Sequence, residues 1–214
     1  EKMKVIRNVN ETLKDDLALE LQKGSMLSIV AADFSMYAFE ALRKELSEIE
    51  ELRFIFTDPT FIQKENSKKE KREFYIPKIN RERRIYGTEF EVKLRNELNQ
   101  KAIAKECAEW IKKKVTFKSN VGNKEITDRF IVLNDIAYYT VNSFTTVVLG
   151  CEQGNNMGVN ILKLESPASQ AFIEQFAKLW QNEEELKDVT NNVISSISSA
   201  YNENAPEFIY FVTL

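Results

Sequence analysis

The stretch from residue 126 to 150, ITDRFIVLNDIAYYTVNSFTTVVLG, limits what this chain can fold into more than any other. Two apolar runs, 130–133 and 137–141, flank an Asn134-Asp135 pair suited to a tight turn. A third run of β-formers, 145–149, follows Asn142-Ser143 and stops at Gly150. The pattern predicts a β-meander. Its setting narrows the chemistry, because the 214 residues contain no histidine. Imidazole is therefore absent as nucleophile, proton carrier or metal ligand.

The length fits one α/β domain with an appended helical piece, and six glycines with four prolines are few for an all-β protein. A formal net charge of −3 gives the whole chain no long-range attraction to nucleic acid or acidic membranes, so any such affinity must be local. Cys107 and Cys151 have no C-x-x-C spacing, which predicts reduced thiols and no zinc site; carboxylate-only magnesium or calcium sites stay open, and none is assigned. No run approaches a membrane span and no signal-peptide core begins the chain. A soluble cytoplasmic protein with no membrane partner is expected.

In chain order, Leu13, Leu17 and Leu21 predict a short helix over 10–24, stopped at Gly24. A buried strand, 27–32, leads through Asp33-Phe34-Ser35 to a helix capped by Ser35, and a second strand, 52–57, completes a β-α-β unit. Thr88 and Glu91 have capping-box spacing, and an apolar stripe from Phe90 to Ile111 predicts one long helix ending at Lys112-Lys113-Lys114. Glu89, Glu91, Arg95 and Glu97 on it read as surface ion pairs or as a carboxylate-rich site. Cys107 reads as core. Strands are predicted at 115–118 and 159–164, and Ser166-Pro167 starts a helix carrying Phe172, Phe176, Leu179 and Trp180 on one stripe. A further helix is predicted over 188–201. The apolar run EFIYFVTL reaches Leu214 with nothing to cover it, so the chain reads as a fragment of a longer protein.

Residues 58–87 interrupt this pattern as an insertion that is locally basic. Lys68, Lys69, Lys71, Arg72, Lys78, Arg81, Arg83 and Arg84 stand among fewer glutamates, with Phe61, Phe74, Tyr75 and Tyr86 interleaved. Cations spaced by aromatic rings suit phosphate contact and base stacking; a solvated insertion pinned by its aromatics, or a protein-binding surface, would use the same residues.

The order of elements resembles that of phospholipase D-like nucleases, in which an apolar strand, an F-S turn, a helix and a second strand precede a motif hairpin. There an H-x-K-x(4)-D motif is followed by G-S-x-N-x-T, and the matching register here reads Thr127, Arg129, Asn134 and then Ser143 with its neighbours. The helix ending F-x(3)-F-x-x-L-W is matched by Phe172, Phe176, Leu179 and Trp180. Together, LSIVAADFSMYAFEALRKEL, FYIPKINRERRIYGTEFEVKLRNELNQKAIAKECAEWI and ENAPEFIYFVTL resemble the amino-terminal region of large bacterial helicases that join such a domain to a Swi/Snf-like superfamily 2 motor.

The resemblance implies a phospholipase D-like mixed β-sheet flanked by helices over 1–182, with 183–214 as a helical extension toward the motor. It implies no catalysis by this chain, since the phospholipase D mechanism uses two histidines and Thr127 replaces the one expected here. Arg129 is left as a phosphate donor. ATP and magnesium are implied only for the motor, with no cofactor in this segment, and one half-motif per chain implies a homodimer. Three functions follow as expectations: a non-catalytic accessory domain that binds or positions DNA or RNA for the motor, a protein-interaction or regulatory module on an inactive scaffold, and a nuclease with altered residues.

Overall fold

Met26–Ala31 is apolar on both faces, the signature of a strand buried in the middle of a sheet, and in a computed structural model of the chain it is central. The structure describes residues 3–64, 72–87, 91–92, 97–152, 158–200 and 208–213. The strands are β1 (Met3–Ile6), β2 (Met26–Ala31), β3 (Glu51–Phe56), β4 (Ile62–Lys64), β5 (Arg72–Pro77), β6 (Val115–Asn120), β7 (Phe130–Leu133), β8 (Ile136–Tyr139), β9 (Ile161–Leu164), β10 (Leu186–Asp188) and β11 (Phe208–Thr213). The helices are α1 (Leu13–Glu20), α2 (Met36–Ala41), α3 (Arg43–Leu46), α4 (Lys78–Arg81) with a π-helical turn at Glu82–Tyr86, α5 (Glu97–Lys114), α6 (Thr146–Leu149), α7 (Gln170–Gln181) and α8 (Thr190–Ser198).

Eight strands form one mixed sheet in the order β1-β9-β8-β7-β2-β3-β6-β10. β2, β3 and β6 run parallel, and the other neighbours are antiparallel. The expected mixed α/β sheet flanked by helices is therefore present. One face packs on α1, α2, α5 and α8 through residues such as Leu13, Leu17, Tyr37, Ile103, Ile111 and Val193. The other is covered by α7, whose Phe176 sits on Val30, Ile55, Phe130 and Val132. Phe34, Phe54, Phe56, Phe117 and Phe144 make a continuous aromatic layer with centroid spacings from 4.8 to 6.0 Å.

Several local expectations are corrected. The run 145–149 is helix α6, because Thr145 Oγ1 accepts from Val148 N and Gly150, at φ +84°, gives the left-handed stop. Capping at both ends overrides the β-propensity of Thr-Val-Val, so the meander is a hairpin, β7–β8, turned at Asn134 with φ +53°. Pro167 lies in turns ahead of α7, which begins at Gln170. The described residues beyond 182 do not form a separate helical extension: β10 pairs with β6 at the edge of the main sheet, and α8 follows with the Asp188 carboxylate accepting from Thr190 N at 2.9 Å. Apolar β11 is not left bare, since all six of its residues pair with β5 in a second sheet, ordered β11-β5-β4. The described part of the insertion contains strands and helical turns. Thr88, Glu89 and Arg95 lie outside the described residues.

No described helix is long and apolar enough to cross a membrane. Cys107 is buried, and burial pushes its thiol well above the usual range, which makes it core, as expected. Cys151 is exposed.

Candidate functional site

Parallel strands deliver the residues that follow them to a common edge, where side chains freed from the ladder can meet. Here Asp33 follows β2, Asp58 follows β3, and Arg129 precedes antiparallel β7 at the same edge. Arg84, from the π-helical turn, reaches in from the returning end of the insertion. Its Nη1 lies 2.8 Å from Asp33 Oδ1 and 3.2 Å from Asp58 Oδ2, while Arg129 Nη2 lies 3.3 Å from Asp58 Oδ1. Two carboxylates and two guanidiniums balance in charge. Burial is the largest influence on Asp33 and raises its carboxyl above the ordinary value despite the Arg84 ion pair.

Backbone hydrogen bonds place the segments that carry this cluster. Ala32 N donates to Asn142 O, Phe144 N to Asp33 O and Ser35 N to Phe144 O, a short parallel ladder that sets Ser143 opposite Asp33. Ser143 Oγ is 3.2 Å from Thr145 Oγ1. Phe34 N donates to Arg84 O, which brings the insertion to the same place. Beside it Asn120, buried, donates to Thr57 O and Lys124 O and receives Gly122 N.

Beneath the edge is a fully buried carboxylate, Glu91. Its Oε2 accepts from Ser35 Oγ at 2.8 Å, Thr146 N at 3.0 Å and Thr146 Oγ1 at 2.8 Å; the same hydroxyl is 2.7 Å from Glu152 Oε2. Ser35 Oγ also receives Tyr37 N, so one carboxylate joins the starts of α2 and α6. Reading Glu91 as a helix-surface residue or capping-box member does not anticipate this, because periodicity carries no sign that the turn is covered.

The residues expected from the sequence are dispersed. Thr127 is exposed, next to Asp128, which accepts from Gln175. Arg129 is at the edge but paired. Asn134 is at the opposite end of β7, roughly 16 Å away at the usual rise per residue; its Oδ1 accepts from Met26 N, a turn-locking role. Lys68, Lys69 and Lys71 lie outside the described residues, as do the side chains of Arg72 and Arg83. Lys78 pairs with Glu82 at 3.9 Å. Arg81 is buried, with Nη1 donating to Ile76 O at 3.3 Å, which removes it from a nucleic-acid surface. Arg84 joins the ion-pair cluster. Among the described residues no group of three or more potential metal-binding Cys, Asp or Glu side chains occurs. The sequence reads Asp33 and Asp58 only as element junctions, although a polar residue directly after each of two buried parallel strands is the signal that marks them as site residues.

No protein-family model matches the chain, and no curated protein matches it. Among solved structures it is similar to phosphatidylserine synthase of Haemophilus influenzae Rd KW20, with TM-score 0.48 and 12% identity, over 88% of this chain and 40% of that one. The chain therefore spans less than half the length of that protein, and at this level of similarity no family assignment follows.

Proposed function

We propose that this chain is a non-catalytic accessory domain, on a phospholipase D-like scaffold, that binds or positions DNA or RNA for a helicase motor. The observation that carries the reading is the seat of the insertion. It leaves the fold at Asp58 and returns through Arg84 to Gly87, so its two ends meet as the Arg84–Asp58 ion pair, which Arg129 joins at the carboxyl edge of the parallel strands. The lysine-rich segment belongs to that insertion, and phosphate contacts made there would be sequence-independent and salt-sensitive. The absence of histidine supports a binding role over phosphodiester cleavage. ATP and magnesium chemistry belongs, in this reading, to the motor.

Fluorescence anisotropy of labelled single-stranded and duplex DNA, at about 50 and 200 mM salt, tests it. Binding at low salt that falls steeply with salt, and that Lys68→Ala, Lys69→Ala, Lys71→Ala and Arg72→Ala together abolish, is the expected result. No binding at either salt removes the proposal. The neutralised state of Arg84 and Arg129 favours the second reading, a protein-interaction module on an inactive scaffold, and that outcome would select it.

A further inference from the structure

On the sheet face covered by α7, Ser28, Arg53 and Thr116 stand in register on β2, β3 and β6. Lys118 lies two residues beyond Thr116 and so shares the face. The Arg53 guanidinium carbon is 4.9 Å from the centroid of Phe176 and 5.6 Å from that of Trp180. Lys118 Nζ is 4.2 Å from the Trp180 centroid and donates to the Trp180 carbonyl at 2.9 Å. Two cations thus share one indole on a face that is otherwise mainly apolar.

Packing explains their aliphatic stems, and ring faces with the Trp180 carbonyl meet the cations without a counter-charge. Lys4, Arg84, Arg129 and Lys163 are all held by carboxylates. Among the described residues neither Arg53 nor Lys118 forms an ion pair. Asp188 is in register with Lys118, yet its Oδ1 takes Thr190 N. Glu51, two residues before Arg53 on the same face, makes no pair with it either. The guanidinium, with five N–H donors, hydrogen-bonds one hydroxyl, Ser28 Oγ at 3.3 Å, and its Nε is shielded from solvent without a partner. A partly desolvated cation without a counter-charge is unfavourable, and an oxyanion on the unused donors of its fork relieves that.

We propose that Arg53 and Lys118, framed by Trp180, Ser28 and Thr116, form an oxyanion site that takes a phosphate group. The phosphate comes from a nucleic-acid backbone or from free phosphate. The backbone source rests on the nucleic-acid reading above; the phosphate chemistry stands without it.

Trp180 supplies the readout on the intact chain, because a charge arriving at both cations alters the field on its indole, while Trp110 is buried and bonded to Leu46 O. Inorganic phosphate is titrated at low ionic strength against chloride of matched ionic strength, and a short single-stranded oligothymidylate is then tested as competitor. The expected result is a saturable phosphate response that chloride does not reproduce. It weakens about tenfold or more in Arg53→Gln/Lys118→Gln, as removal of charge-assisted hydrogen bonds requires, and is unchanged in Lys68→Ala/Lys69→Ala/Lys71→Ala. Competition by the oligonucleotide assigns the site to backbone phosphate, and binding without competition assigns it to free phosphate. Absence of a response beyond chloride, or full affinity in a glutamine pair that unfolds normally, overturns the site. If the glutamine pair does not fold, Trp180→Phe decides. Calorimetric phosphate affinity must survive while the fluorescence change vanishes, and a change that persists from Trp110 refutes the assignment.

Discussion

Arg129 Nη2 donates to Asp58 Oδ1 at 3.3 Å, across the edge where a phosphate-binding cation would be sought. A guanidinium already bonded to a carboxylate offers little net charge to a polyanion. Arg129→Ala is expected to leave DNA affinity nearly unchanged. By contrast, alanine at Lys68, Lys69, Lys71 and Arg72 lowers the slope of log affinity against log salt by about 0.7 to 0.9 for each phosphate that is no longer neutralised. Salt titrations of both variants check this, and an equal fall in affinity in each would mean that Asp58 yields to the ligand.

Asp33 carries the opposite lesson. Desolvation raises its carboxyl above the ordinary 3.8 even beside Arg84, so the folded state holds this proton more tightly than the unfolded chain does. The contribution of such a group is fully present below the ordinary value and is lost as pH rises through the folded one. Asp33→Asn should therefore melt at the same temperature or higher at neutral pH, with the difference closing as pH falls below 3.8. A lower midpoint at neutral pH would show that the ion pair outweighs burial.

Glu91→Ala strands the hydroxyl of Ser35 and the amide of Thr146 in a buried site and leaves the Thr146 hydroxyl to Glu152. A loss of about 3 kcal/mol in urea unfolding is expected, and Glu91→Gln, which keeps an acceptor, should lose roughly half of that. Equal losses would point to the charge itself as the essential element.

A second buried carboxylate, Asp16, accepts from Tyr138 Oη at 2.6 Å and pairs with Lys163 and Lys4, tying α1 to β1, β8 and β9. Burial is the largest influence and pushes its carboxyl up, but these hydrogen bonds together bring it below 3.8. Its stabilisation is therefore complete above that value and lost as pH falls through the lower folded one. Lys163 behaves in mirror image: desolvation is the largest influence, but Glu20 and Asp16 together overcome it and raise the ammonium, so its contribution holds below 10.5 and fades at higher pH. Tyr138→Phe should cost about 1 to 2 kcal/mol near neutrality and move the acid unfolding midpoint to higher pH, measured by circular dichroism.

Gly150 has φ +84°, and a Cβ there would meet Asn8 Cγ at 2.8 Å and Thr12 Cβ at 2.9 Å. Asn8 itself bridges Val148 O and Leu13 N. Gly150→Ala is expected to cost about 2 kcal/mol or more from backbone strain and crowding, read by urea denaturation. Gly24, at φ +81° with open space around it, should lose less on the same change.

The readable parts of the fold were those where one local rule acted alone. The doubly buried run at β2, the cap at Ser35 and the aromatic stripe of α7 each follow from composition and spacing. Where two rules competed, the outcome depended on the ends of the element: Thr145 and Gly150 turned a β-rich run into a helix. The site was less legible because its members meet only after folding. Asp58 and Arg129 are 71 positions apart, and Glu91 meets Thr146 across 55. No periodicity announces such partners. Pairing of β11 with β5 escaped for the same reason, since an apolar strand does not state which edge it will join.

The antiparallel register of β11 on β5 also has a mechanical meaning. Thr213 is opposite Arg72, and Phe208 is opposite Pro77. Tension applied to the backbone at Thr213 loads that outermost pair first and opens the ladder like a zipper, one pair at a time, from the end of β5 that adjoins residues 65–71. A load entering at Thr213 is thereby met first at Arg72, directly after the lysine-rich segment and well over a hundred residues earlier in the chain, and reaches the pair of Phe208 with Pro77 last.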